Sequence, residues 1–89
     1  MNREEILTLA AKLISDDRDK DYGSAEANFT RIAEIWTAMK GVEFTASDVG
    51  LFMVAVKLAR LSTNPSHIDS YVDMAGYSAL TAEINETKD

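Results

Sequence analysis

Two acidic and two basic side chains stand at spacings that could bring them to one site. Asp69 and Asp73 are four residues apart, which places them side by side on one edge of a helix. Lys57 and Arg60 are the only charged residues in the otherwise apolar stretch 49–61. Adjacent carboxylates repel each other, so either a divalent cation or these two basic side chains should hold them. Two solvated acids on an exposed helix edge are the alternative.

The two basic side chains allow two interpretations. A long charged side chain on an apolar helix must either extend to water or meet a partner. Lys57 and Arg60 therefore form ion pairs with the acidic edge, or they contact a phosphate group of a ligand. Tyr77 continues the row of Asp69 and Asp73 by one turn, so its ring is a further candidate ligand contact.

A second candidate site lies just before the second predicted helix. It combines two cations, an aromatic ring and a glycine turn, contributed by Arg18, Lys20, Tyr22 and Gly23. With the helix N-terminus that follows, these groups could contact a phosphate and stack against a base. A charged surface loop with a glycine turn is the competing interpretation.

The second predicted helix carries polar residues away from its apolar face. Asn28 and Glu34 could contact a ligand or a second subunit there, and Glu34 would join Asp69 and Asp73 as a ligand if the site depends on a metal. Trp36 lies on the apolar face, so we expect it to pack in the core. The catalytic residues remain unassigned. The sequence has no glycine-rich phosphate loop, zinc-ligand spacing or dinucleotide fingerprint.

The composition limits the class of protein. With 89 residues, the chain is expected to form one domain over residues 1–89 with little stability to spare. It has no cysteine, and its 15 acidic and 9 basic residues give a formal net charge of −6. That charge disfavours nucleic-acid polymers as partners but leaves room for a small anionic ligand. The sequence starts without a leader pattern and has no apolar run long enough to span a membrane, so we expect a cytoplasmic protein without a membrane partner.

Apolar residues recur at helical spacing in four segments, without strand-like alternation between them. Capping patterns mark three starts: Asn2 with Glu5, Ser24 alone, and Thr45 with Asp48. The predicted helices span residues 3–15, 24–40, 46–62 and 65–84. The predicted fold class is therefore all-α, a four-helix bundle-like domain.

Two residues mark further helix ends. Gly41 suits a left-handed cap after the second helix, and Pro65 suits the first position of the fourth. The spacing in the fourth helix predicts that its apolar stripe consists of Ile68, Val72, Ala75 and Ala79.

The third predicted helix is apolar around most of its circumference. Its narrow polar sector contains Gly50, Lys57 and Arg60, and we expect this sector to face the edge formed by Asp69 and Asp73. Because so apolar a helix should be buried on several sides, we expect the domain to assemble into a homo-oligomer.

Several blocks of sequence, in order, resemble a known family. They are residues 19–23, 28–33 with Trp36, 48–60 and 67–77. This series resembles a phage and prophage family of small helical domains of unknown function. That family is in turn distantly similar to the MazG-like all-α nucleotide pyrophosphohydrolases, helical oligomers in which acidic helix motifs hold magnesium. Residues 73–77 are similar to the segment around the aspartate of their Glu-x-x-Asp motif, but Ser70 stands at the glutamate position.

Three functions fit these observations. The first is a phage-type protein that captures a small phosphate-bearing nucleotide without a cofactor, such as a cyclic or ADP-ribose-type immune signal in an anti-defence role. The second is a MazG-like nucleoside triphosphate pyrophosphohydrolase with Mg²⁺ on Asp69 and Asp73. The third is a non-catalytic oligomeric adaptor. The incomplete acidic motif favours the first, because metal-assisted hydrolysis usually needs several carboxylates.

Overall fold

The computed structural model describes residues 1–15 and 24–86. Over these residues the chain forms four helices and no strand: α1 (Arg3–Ser15), α2 (Ala25–Lys40), α3 (Ala46–Thr63) and α4 (Ile68–Glu86). This confirms the all-α class expected from the sequence. In the described part of the chain, none of the helices has the length and hydropathy that crossing a bilayer requires.

Side-chain caps fix the starts of the first three helices. At α1, the Asn2 and Glu5 side chains each accept a hydrogen bond from the other residue's backbone N–H, at 2.9 and 3.0 Å. Thr45 and Asp48 form the same reciprocal arrangement at α3. These bonds satisfy backbone donors that a helix start leaves without an internal partner.

The cap at the end of α2 turns the chain toward α3. Gly41 adopts a left-handed conformation with φ of 70°, and its N–H donates to the Thr37 carbonyl at 2.9 Å. The Thr37 hydroxyl also accepts from the Phe44 N–H at 2.9 Å. The two bonds hold the connection between α2 and α3 as a short, fixed turn.

The fourth helix starts later than the sequence predicts. Pro65 lies in a turn between α3 and α4, and α4 begins at Ile68. The N–H of His67 donates to the Asn64 carbonyl, and the His67 ring contacts the Ser70 hydroxyl at 2.7 Å. The prediction that Pro65 occupies the first helical position is therefore wrong, because His67 and Ser70 provide the local bonds that start the helix.

The helices are arranged in space in the order α1, α4, α3, α2. The main contacts join α1 to α4, α4 to α3, and α3 to α2, while α2 and α4 share fewer. Buried side chains of α2, α3 and α4 form a hydrophobic core that consists of Phe29, Ala33, Ala46, Val49, Leu80 and Ile84.

Two glycines allow α4 to lie close to its neighbours. Gly50 on α3 leaves no room for a Cβ beside Thr81, and a Cβ on Gly76 would lie 3.0 Å from Cγ2 of Ile14 on α1. The buried face of α4 differs in part from the predicted stripe, since α4 packs on α3 through Thr81 and on α1 through Gly76. Val72 is buried as predicted, but Ile68 and Ala79 are exposed and Ala75 is half-buried. The buried positions of α4 are Ser70, Val72, Gly76, Leu80, Thr81 and Ile84.

The third helix turns Gly50 and Lys57 of its narrow polar sector inward, whereas Arg60 of that sector is exposed. Val49, Gly50 and Leu61 are buried, and Lys57 is half-buried on the same side. The opposite surface, which we name the outer face of α3, is exposed and consists of Leu51, Phe52, Ala55, Val56, Leu58 and Ala59. The four helices of one chain therefore cover only one side of this apolar helix.

Candidate ligand-binding site

The short connection at residues 64–67 makes α3 and α4 antiparallel neighbours, and Lys57 of α3 meets Asp73 of α4 between them. We name Lys57, Arg60, Asp69 and Asp73 the α3/α4 seam. Nζ of Lys57 lies 3.0 Å from Oδ2 of Asp73, with the two side chains 14% and 34% exposed. The sequence left this ion pair as one of several alternatives, and the structure confirms it.

The depth of this ion pair explains how Lys57 fits an inward-facing position. The aliphatic stem of Lys57 covers apolar surface between the helices, while its ammonium group meets a carboxylate near water. An ion pair with partly shielded groups is less screened by salt than a fully exposed one. Lys57 and Asp73 therefore fix the lateral position of α3 relative to α4 at this point.

The other two members of the seam are exposed. Arg60 follows Lys57 by three residues on α3, and Asp69 precedes Asp73 by four on α4. Because the helices are antiparallel, both lie about one turn from the ion pair toward the same end of the seam. Within the described part of the chain, neither of these two side chains has an ionic partner.

The turn before α4, next to this end of the seam, is held by hydrogen bonds that were not among the predictions from the sequence. Ser70 is fully buried and contacts the His67 ring, and the Tyr71 hydroxyl donates to the Pro65 carbonyl at 2.8 Å. The spacing of three residues between His67 and Ser70 is the available sequence signal, since capping contacts use that spacing. These bonds hold the first turn of α4, which carries Asp69.

The aromatic candidates pack against other rings. Tyr77 lies against Phe29, with ring centroids 6.2 Å apart. Trp36 contacts Phe44 and Phe52 with centroid distances of 5.9 and 5.2 Å, which agrees with the packing role expected for it. Asn28, next to Phe29 on α2, is half-buried.

The three candidate metal ligands do not form a group in the described residues of one chain. Asp73 is paired with Lys57, while Asp69 on α4 and Glu34 on α2 are exposed. More generally, no group of three or more His, Cys, Asp or Glu side chains in residues 1–15 and 24–86 is placed to hold a metal ion. The loop candidates Arg18, Lys20, Tyr22 and Gly23 lie outside the described residues.

A separate cleft lies at the opposite end of α4. It has a volume of about 190 Å³ and is lined by Ile14, Ser24, Ala25, Glu26, Leu80, Glu83 and Ile84. Its two charged side chains, Glu26 and Glu83, are carboxylates, which repel a phosphate group. Of the two places, the seam therefore has the charges that suit a phosphate-bearing ligand.

Comparisons with known proteins give a family and two phage relatives. The model of a family described as a domain of unknown function (DUF6378) matches residues 5–85. The Gene 55 protein of Mycobacterium phage L5 is 44% identical over 85 residues, which cover 94% of this chain and 54% of the phage protein. The Gene 55 protein of Mycobacterium phage D29 is 37% identical over 83 residues, with coverages of 93% and 55%.

The chain thus spans about half the length of these two relatives. No solved structure matches it significantly. The phage relatives agree with the resemblance to a phage family that the sequence suggested. Because the family model covers nearly the whole chain, the protein belongs to the DUF6378 family, whose function is unknown.

Proposed function

We propose that this protein captures a small phosphate-bearing nucleotide at the α3/α4 seam and does not hydrolyse it. The proposal rests on the difference between the two charged residues of the seam that pair with each other and the two that do not. The ion pair between Lys57 and Asp73 satisfies two of its charges. Arg60 and Asp69 are exposed beside that pair, and each has its charge available for a ligand.

The chemistry of Arg60 suits the phosphate end of a nucleotide. A guanidinium group presents several N–H donors in a rigid plane and binds phosphate oxygens through two parallel hydrogen bonds. Its position on a helix whose neighbouring turn is fixed by the Lys57–Asp73 pair reduces the conformational entropy that binding must overcome. Arg60 is therefore the proposed phosphate contact.

Asp69 suits the sugar or base of the same ligand. A carboxylate repels phosphate, but it accepts hydrogen bonds from ribose hydroxyl groups, as in dinucleotide sites. One cation beside one carboxylate thus matches a molecule that carries phosphate at one end and hydroxyl or amino donors at the other. Inorganic phosphate alone fits this arrangement less well.

Capture without turnover is supported by the groups available at the seam. Metal-assisted attack on a triphosphate usually requires ions held by several carboxylates. Asp73 is engaged by Lys57, and the described residues of one chain offer no group of three metal-ligating side chains. A protein that binds a nucleotide without consuming it lowers the free concentration of that nucleotide.

Such a protein would benefit a phage whose host uses a nucleotide as an immune signal, because it would lower the free concentration of that signal. We extend the proposal to a cyclic or ADP-ribose-type immune signal, sequestered in the host cytoplasm as an anti-defence function. The motivation is that the two relatives described above are mycobacteriophage proteins. The ligand class itself rests on the seam, and the pathway rests on the phage relatives.

The MazG-like alternative remains a prediction from the sequence resemblance. It requires Glu34 of a second copy to join Asp69 and Asp73 around Mg²⁺, with release of pyrophosphate from a nucleoside triphosphate. Incubation with Mg²⁺ and the four common triphosphates should release none. Release that disappears in Asp73→Asn would replace capture with hydrolysis.

The direct test of capture is isothermal titration calorimetry against a panel of linear nucleotides, cyclic dinucleotides and ADP-ribose derivatives. We expect at least one of them to bind and to be recovered unchanged, as judged by mass spectrometry. If every compound in the panel fails to bind, the proposed function is wrong.

A further inference from the structure

We propose that a second copy of this chain covers the outer face of α3, as an antiparallel pair of α3 helices whose two-fold axis passes near Ala55. The proposal rests on the exposed apolar surface and is independent of nucleotide capture. Every residue of the outer face is apolar, because the inward turn of α3 places Lys57 on the other side.

The exposed area is large enough for a specific dimer. The four large side chains are all about half exposed: Leu51 at 56%, Phe52 at 42%, Val56 at 49% and Leu58 at 58%. With the two alanines between them, they present roughly 500 Å² per copy, judged from the usual areas of such side chains. A pair would bury roughly 1,000 Å² in total, which reaches the lower limit of specific protein interfaces.

The order of large and small residues makes this face complementary to itself. In an antiparallel pair centred at Ala55, Leu51 of one copy lies opposite Ala59 of the other, and Phe52 lies opposite Leu58. The two copies of Ala55 meet at the axis, where their small side chains allow the helices to approach closely. A large residue thus faces a small one where Leu51 meets Ala59, which is how packed helices interdigitate, while two large side chains meet where Phe52 faces Leu58.

The charges at the ends of α3 also favour the antiparallel orientation. Each end of a helix carries a partial charge, positive at the N-terminus and negative at the C-terminus. In an antiparallel pair of α3 helices, unlike ends lie side by side and the two dipoles are opposed, whereas a parallel pair places like ends together.

Two aromatic rings beneath the outer face hold Phe52 in position. Phe52 contacts both Trp36 and Phe44, with ring centroids 5.2 and 5.9 Å apart. Its ring is therefore held in place before a partner arrives, which lowers the entropic cost of association. The alternative partner for this face is the part of the phage relatives that lies outside the region matched by this chain. If such a segment covers the face, the 89-residue chain should be a monomer.

Sedimentation of the 89-residue chain is the first test. We expect a species of twice the 9.8 kDa chain mass at concentrations of roughly 10–100 µM, as interfaces of this size commonly give. Ala55→Glu should weaken the dimer at least about a hundredfold, because it buries two carboxylates opposite each other. The matched control is Ala38→Glu on exposed α2, which should leave the dimer intact. Circular dichroism should show equal helix content in both variants.

Cysteine cross-linking tests the orientation, since the native chain has no cysteine. Leu51→Cys and Ala59→Cys proteins, when mixed and oxidised, should form a mixed disulfide in high yield, whereas Leu51→Cys mixed with Ala38→Cys should not. A chain that is monomeric over this concentration range, a dimer unaffected by Ala55→Glu, or the absence of the 51–59 cross-link would each overturn the proposal.

Discussion

Gly50 on α3 lies directly against Thr81 on α4, so that a Cβ at position 50 would collide with the Thr81 hydroxyl oxygen. That oxygen is itself fixed, because it donates its hydrogen to the Tyr77 carbonyl at 2.7 Å. The contact lies in the second turn of α3 and sets the separation of the two helices that form the seam. The spacing of the candidate ligand contacts therefore depends on a residue without a side chain.

The first prediction concerns this contact. Gly50→Ala should lower the free energy of unfolding by about 1–3 kcal/mol, although alanine is the better helix former, because the added methyl group overpacks the interface. Chemical denaturation measures the change. Rotation of Thr81 gives little relief, since its Cβ and Cγ2 would also lie at 3.0 and 3.2 Å from the new methyl carbon.

Gly76→Ala is the matched comparison for that experiment. Its new Cβ would lie 3.0 Å from the Cγ2 methyl of Ile14, which is a side-chain end that can move. We expect the higher helix propensity of alanine to offset most of the packing cost, so that the change stays within about 1 kcal/mol of zero. Equal losses in the two variants would contradict the rigid contact at Thr81.

The second prediction concerns the Lys57–Asp73 ion pair. Lys57→Met, which keeps the apolar stem, and Asp73→Asn should each cost about 1 kcal/mol of unfolding free energy. A double-mutant cycle should give a coupling energy of about 0.5–1 kcal/mol between the two positions. Lys40→Met, at an exposed position, serves as the control and should couple to Asp73→Asn by no more than about 0.3 kcal/mol. Purely additive effects at positions 57 and 73 would show that the ion pair is broken in solution.

The third prediction concerns the turn between α2 and α3. Gly41→Ala should destabilise the protein by about 1 kcal/mol, because φ of 70° is unfavourable for a residue with a Cβ. Val42→Ala, at the next and exposed position, should change stability by less than about 0.5 kcal/mol. Thermal unfolding of the two variants compares them directly, and similar melting temperatures would argue against the left-handed cap.

The fourth prediction concerns nucleotide capture. For any nucleotide that binds, Arg60→Ala and Asp69→Asn should each weaken binding by roughly tenfold to a hundredfold, since each removes a hydrogen bond to a charged group. Lys40→Ala removes one positive charge from α2, at the opposite end of the α2–α3 hairpin from Arg60, and should weaken binding by less than about threefold. Titration calorimetry measures all three. Equal losses in Arg60→Ala and Lys40→Ala would place the ligand away from the seam.

The effect of ionic strength separates a seam contact from long-range attraction. The formal net charge of −6 repels an anionic ligand at a distance, so added salt should help the approach of the nucleotide while weakening its contact with Arg60. In Arg60→Ala only the screening of the long-range repulsion should remain, so that added salt strengthens binding, whereas Lys40→Ala should respond to salt as the unsubstituted protein does. This difference would identify Arg60 as the phosphate contact.

The sequence by itself determined the features that depend on neighbouring residues. The caps at Asn2, Ser24 and Thr45 form as predicted, because each uses bonds between residues only three positions apart. The left-handed Gly41 follows from the same local chemistry. The start of α4 was missed, because proline at position 65 was compatible with both a first helical position and the turn it occupies.

The sequence predicted that the polar sector of α3 faces the acidic edge of α4, and the Lys57–Asp73 pair confirms this for Lys57. Only the tertiary structure decided which apolar surface of α3 stays uncovered. A pattern of apolar residues shows which side of a helix is buried when polar residues mark the opposite side, but α3 is apolar around most of its circumference. Its orientation was decided by the close packing of Gly50 on Thr81 and by the match of Lys57 with Asp73. With this orientation, the larger apolar surface of α3 is exposed. The number of apolar residues in the helix does not predict which surface that is. The seam and the outer face of α3 are therefore both consequences of how two helices fit against each other.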